Sequence, residues 1–150
     1  MSRVERSGPS PRARLTSLSQ QARASLGNAI RVSELEAPSP LEVDSGLFNL
    51  ERLAWSVSSM AEVLIFELRL SPGSTLQPSK MIDVLVREAS LPLGDGRRVK
   101  QVLEYRTLSQ RDPQWVNATQ ILSADTLGFV REVLEIWLEF SVKAIPSQCD

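Results

Sequence analysis

Between Ser45 and Leu70 one long apolar stripe limits what this chain can become. Leu47, Leu50, Leu53 or Ala54, Val57, Met60 or Ala61, Leu64 and Leu68 recur every three or four residues, the spacing that stacks side chains on one face of an α-helix. Phe48, Val63 and Phe66 widen the stripe, which predicts a helix buried on most sides and central to the core. Asp44 or Ser45 can cap its start by accepting bonds from free backbone amides, and Ser71-Pro72-Gly73-Ser74 ends it.

Three further segments repeat the pattern. Met81, Ile82, Leu85 and Ala89 predict a short helix over about 79–89, closed by Leu91-Pro92-Leu93-Gly94. A third begins near Asp95 as its cap and sets Val99, Val102, Leu103 and Arg106 on one face, so its apolar stripe closes on a guanidinium. The polar stretch 109–120, which holds Pro113, reads as a loop carrying Trp115. The last helix is the best marked. Ser123 is its N-cap and Asp125 sits in the first turn, where the helix dipole favours an anion. Leu122 and Leu127 are spaced as a hydrophobic staple, and Leu127, Val130, Leu134, Trp137 and Leu138 run on toward Pro146. Strand signals are nearly absent. The expected fold is all-α, an antiparallel four-helix bundle over 44–146.

Residues 1–43 read differently. Six arginines stand against Glu5 before Ser33, which leaves 11 basic and 17 acidic residues for the remainder of a chain whose net charge is −1. A basic arm therefore precedes an acidic body. Residues 1–11 have too little apolar content to offset the entropy of ordering and are expected to be disordered. From Arg12 to Val32, Leu15, Leu18, Ala22, Leu26 and Ile30 fit a short amphipathic helix, and Ala37-Pro38-Ser39-Pro40 marks 33–43 as a linker.

Several functions are excluded by residue type. Histidine is absent from all 150 residues, which removes Ser-His and Cys-His nucleophile systems and the commonest metal ligand. The single Cys149 can neither build a structural zinc site nor form a disulfide within the chain. No apolar run approaches the ~20 residues of a membrane span, and no secretory h-region opens the chain, so a reducing, cytoplasmic setting is expected. Glu132, Glu135 and Glu139 lie at helical spacing, but opposite the apolar face, as a solvated stripe. Gly94-Asp95-Gly96 lacks the Lys-Ser/Thr that completes a phosphate loop and reads as a turn with a cap. No cofactor is expected and no enzymatic activity.

The stretches Ser79-Lys80-Met81-Ile82-Asp83-Val84-Leu85 and Val102-Leu103-Glu104-Tyr105-Arg106-Thr107-Leu108-Ser109-Gln110-Arg111-Asp112, followed by Ile121-Leu122-Ser123-Ala124-Asp125, resemble the HEPN superfamily (higher eukaryotes and prokaryotes nucleotide-binding), small helical bundles with a long first helix. The resemblance spans about Leu47 to Val142. It implies a ribonuclease site in which an arginine at the end of the third helix works with a later histidine. Arg106 fits the arginine, but Arg111, Asp112 or Gln114 stands where the histidine falls. The resemblance thus implies a member without catalysis, and family practice implies a homodimer paired through the helices bearing that motif.

What remains as candidate sites are contacts. Arg106 either pairs with a nearby acid such as Glu104 or Asp112 or meets a phosphate, because an arginine on an apolar face needs a bidentate partner. Trp55 and Trp137 read as core, whereas Trp115 in its polar loop reads as an anchor for a partner. Arg97, Arg98 and Arg111 are possible anion contacts. Arg12, Arg14, Arg23 and Arg31 offer an electrostatic arm for an RNA or DNA backbone, without the aromatics that stack bases. The leading expectation is a non-catalytic interaction module that dimerises or docks on a partner protein; the alternative is a nucleic-acid accessory protein using the arm.

Overall fold

The structure, a computed structural model, describes residues 8–70, 77–111 and 117–145. Among these the chain is all-α: α1 (Pro11–Ser33), α2 (Pro40–Glu67), α3 (Pro78–Glu88), α4 (Leu93–Leu103), a 3₁₀ segment (Glu104–Gln110), α5 (Ala118–Ile121) and α6 (Ala124–Ala144). The expected helical bundle is present. No helix among the described residues is long and apolar enough to cross a membrane.

Pro40, which the sequence reading took as part of a helix break, starts a helix instead. α1, α2 and α3 each begin on a proline, at Pro11, Pro40 and Pro78. At that position the missing N–H would have had no helical partner and the fixed φ already suits the helix. Ser39 caps α2 in a reciprocal box: its hydroxyl accepts the Glu42 amide at 3.2 Å, while the Glu42 carboxylate accepts the Ser39 amide at 2.9 Å. The helix therefore starts at Pro40, not at Asp44 or Ser45, and residues 40–43 of the expected linker are its first turn. Ser10 caps α1 by accepting the Ala13 amide at 3.1 Å. Of the stretch expected to be disordered, residues 1–7 lie outside the described residues.

α1 is built into the core. Leu15, Ala22, Leu26 and Ala29 are buried in the same cluster as the apolar residues of α2, α3, α4 and α6.

 Ala29 and its neighbours thus pack in one cluster with the other helices among the described residues. The contact with α2 runs antiparallel: Val32 lies by Gly46, Asn28 donates to Asn49 at 3.3 Å, and the Ser56 hydroxyl donates to Gln21 at 3.4 Å. On its other side α1 meets α6, where Arg23 reaches the Glu135 carboxylate at 2.6 Å. Both ends of that ion pair are half exposed, so it contributes at most about 1 kcal/mol.

α6 follows the sequence reading. The Ser123 hydroxyl accepts the Thr126 amide at 3.2 Å, and Trp137 is fully buried. α4 departs from it: the helix begins at Leu93 with Pro92 as the cap residue, which places Asp95 inside the first turn and not at the cap. The polar stretch 109–120 also contains α5, capped by the Asn117 side chain, where only a loop was expected.

α3 and α4 approach closely at Gly96, where a Cβ would stand 2.6 Å from Val86 Cγ2. Gly96→Ala is expected to destabilise the fold by about 1–3 kcal/mol through overpacking, read as a lower urea midpoint. In a Val86→Ala background the same change should cost less than it does alone.

Candidate interaction site at the 3₁₀ segment and outer face of α2

The helix carrying Val99, Val102 and Leu103 tightens after Leu103 into the 3₁₀ segment, with Thr107 off helical geometry at φ −117° and ψ 19°. A 3₁₀ turn advances ~120° per residue, so Arg106 stacks over Leu103 instead of continuing the α-helical stripe. Its guanidinium Nη1 donates to the Leu103 carbonyl at 2.9 Å. The expected ion pair with Glu104 is not formed, and Asp112 lies outside the described residues. Arg111 turns back in the same way, donating to the Glu104 carbonyl at 2.6 Å.

α2 holds this segment in place through two side chains one turn apart. Trp55 Nε1 donates to the Arg106 carbonyl at 3.0 Å. The Glu51 carboxylate accepts both the amide and the hydroxyl of Ser109, each at 2.7 Å. A charged acceptor taking two donors is the stronger of the two ties. Trp55 is therefore not a core residue, as the sequence reading had it. Its ring lies on the outer side of α2 and its N–H is satisfied by backbone.

Beside these contacts, Val43, Leu47, Phe48, Leu108 and Arg111 line a cleft of about 450 Å³. A larger groove of about 990 Å³ lies between α1 and the far end of α2, edged by Arg14, Leu18, Glu62, Phe66 and Leu70. Phe48 and Phe66, expected to widen the buried stripe, are exposed instead, and with Leu41 and Trp55 they leave 48–79% of each side chain's residue surface in solvent. The Arg52 guanidinium sits 5.8 Å from the centre of the Phe48 ring. The sequence reading missed this outer face. Its signal was present as a second repeat on α2, in the alternating four- and three-residue steps Phe48, Arg52, Trp55, Ser59, Glu62 and Phe66.

The other candidate residues do not converge. Arg97 is exposed on α4, and Arg98 reaches back to Asp95 at 3.4 Å. On α1, Arg23 pairs with Glu135, Arg31 donates to Asn28, Arg12 lies beside the end of α6, and Arg14 faces the α2 groove. Trp115 lies outside the described residues. Among the described residues no cluster of acidic or sulfur side chains could hold a metal ion.

No protein-family model and no curated protein matches the sequence. One solved structure does share the fold: a chain in the crystal structure of a toxin-antitoxin with AMP-PNP superposes with a TM-score of 0.68 at 12% identity, over 83% of this chain and 96% of its own.

Tyr105, half-buried between Glu104 and Arg106, has its phenol raised above the ordinary 10.0, chiefly by burial, with Glu104 adding to the effect and Arg111 opposing it. A raised folded pKa means that the neutral phenol stabilises the fold below the unfolded value, and that this contribution is lost as pH rises through the folded one. Tyr105 is the chain's single tyrosine, so an ultraviolet absorbance titration reads it alone. The native midpoint is expected above 10.0 and the midpoint in urea close to it; a native midpoint at or below 10.0 contradicts the burial.

Proposed function

We propose that this chain is a non-catalytic, HEPN-like helical interaction module that docks on another protein, as a component of a toxin-antitoxin type of pair. The observation that carries the reading is the state of the Arg106–Arg111 segment. In a chain without histidine, both guanidiniums are turned onto carbonyls of their own backbone, Leu103 and Glu104, and no imidazole base stands beside either. The fold likeness to a toxin-antitoxin chain supports the class of assembly, and the exposed aromatic residues of α2 supply a surface suited to a protein partner.

The alternative, a nucleic-acid backbone held by Arg12, Arg14, Arg23 and Arg31, is weakened by the engagement of Arg23 with Glu135 and of Arg31 with Asn28. Those guanidiniums would have to leave their partners to neutralise phosphates.

The test is turnover. Full-length chain incubated with RNA or with nucleoside triphosphate is expected to show no product above buffer, and Arg106→Ala is expected to change nothing. Turnover that Arg106→Ala abolishes would overturn the reading.

A further inference from the structure

Two guanidiniums line the groove between α1 and the end of α2 without a partner of their own. Arg14 comes from α1 and Arg69 from the stop of α2, and neither forms an ion pair among the described residues. Arg23, Arg106 and Arg111, by contrast, are each engaged. The way α2 ends sets Arg69 in place. The Arg69 amide donates to the Phe66 carbonyl at 3.2 Å and the Leu70 amide to the Ile65 carbonyl at 3.0 Å, the paired bonds of a helix that stops on one left-handed residue. Arg69 is that residue, with φ 53°. Glycine is usual there because it has no Cβ to crowd the carbonyl, but here the position carries a charge.

The rest of the lining is largely apolar. Leu18, Val63, Phe66 and Leu70 contribute to it, and Phe66 leaves 72% of its surface in solvent. A volume of about 990 Å³ with an apolar lining and a few charged groups is the composition of a small-molecule site. Glu62 is the one carboxylate in the lining, and it selects against a polyanion. A nucleic-acid strand would set a run of phosphates against Glu62 and Phe66 and draw nothing from the apolar surface. A single carboxylate on an aliphatic chain uses both features. Its oxygens accept from a guanidinium fork, and its chain covers Val63, Phe66 and Leu70.

We propose that this groove binds a small amphipathic carboxylate, its aliphatic chain lying along Val63 and Phe66 and its head group held by Arg14 and Arg69. The site goes beyond the reading of the chain as an interaction module and does not depend on it.

Isothermal titration of the full chain with sodium decanoate, kept below its micelle concentration, tests the site, with circular dichroism to verify that each variant is folded. Decanoate is expected to bind one to one. Decylammonium, with a similar chain and the opposite charge, should bind roughly tenfold or more weaker. Butanoate, which keeps the charge but sheds most of the chain, should bind roughly a hundredfold or more weaker. Arg14→Gln and Arg69→Gly should each weaken decanoate binding roughly tenfold. Glycine suits the left-handed turn, so the loss in Arg69→Gly reads the guanidinium and not the fold. Arg87→Gln, on α3 and outside the groove lining, should leave the affinity unchanged. Absence of decanoate binding, decylammonium binding as tightly as decanoate, or an affinity insensitive to both groove substitutions overturns the proposal; a groove covered by another protein chain would give the first of these. Such a failure leaves the non-catalytic reading intact, because that reading falls only to Arg106-dependent turnover.

Discussion

Along the seam between α1 and α2 most of the buried side chains of α1 are short. Ala22, Ser25 and Ala29 are buried there, and across from them α2 presents Gly46, Asn49 and Ser56. A Cβ on Gly46 would stand 2.9 Å from Leu122 and 3.2 Å from Val32. Small residues let two helix backbones approach closely, and the polar ones are satisfied across or along the seam, as in Asn28 to Asn49 and Asn49 to the Ser45 carbonyl at 2.8 Å. Because α1 occupies this side of α2 and α3, α4 and α6 complete the core, the larger side chains Phe48, Trp55 and Phe66 are left on the outside. The packing of α1 thus determines which face of α2 is available to anything else.

The 3₁₀ segment depends on that arrangement. Glu51 and Trp55 stand on α2 at the edge of its outer face and bind the backbone of Ser109 and Arg106. Since the ties go to backbone, they fix the path of the segment whatever side chains it carries. With the path fixed, the guanidiniums of Arg106 and Arg111 fold onto nearby carbonyls. The same contacts that order the segment therefore leave both arginines on carbonyls of their own backbone, the observation on which the proposed non-catalytic reading rests.

Helix positions were legible in the sequence because burial imposes a 3.6-residue period, and Met81, Leu85, Val99, Leu127 and Trp137 carry it clearly. The start of α2 was legible too, in Ser39 and Glu42, but the prolines around them masked a signature that Pro40 in fact completes. Trp55 was misplaced because periodicity identifies a helical face without saying which of two faces is inward, and α2 carries a repeat on both. The surroundings of Arg106 were not legible. They depend on a change from α to 3₁₀ geometry, and on carbonyl acceptors that no residue type announces. The absent histidine needed no structure to be seen.

That α2 fixes the path of the 3₁₀ segment is tested most directly by amide hydrogen exchange at Ser109, whose N–H is held by the Glu51 carboxylate at 2.7 Å. Glu51→Ala is expected to speed exchange at Ser109 roughly tenfold or more while the amides of Val130 and Leu134 in α6 stay protected. Exchange at Ser109 that the substitution leaves unchanged would contradict the dependence of the segment on α2.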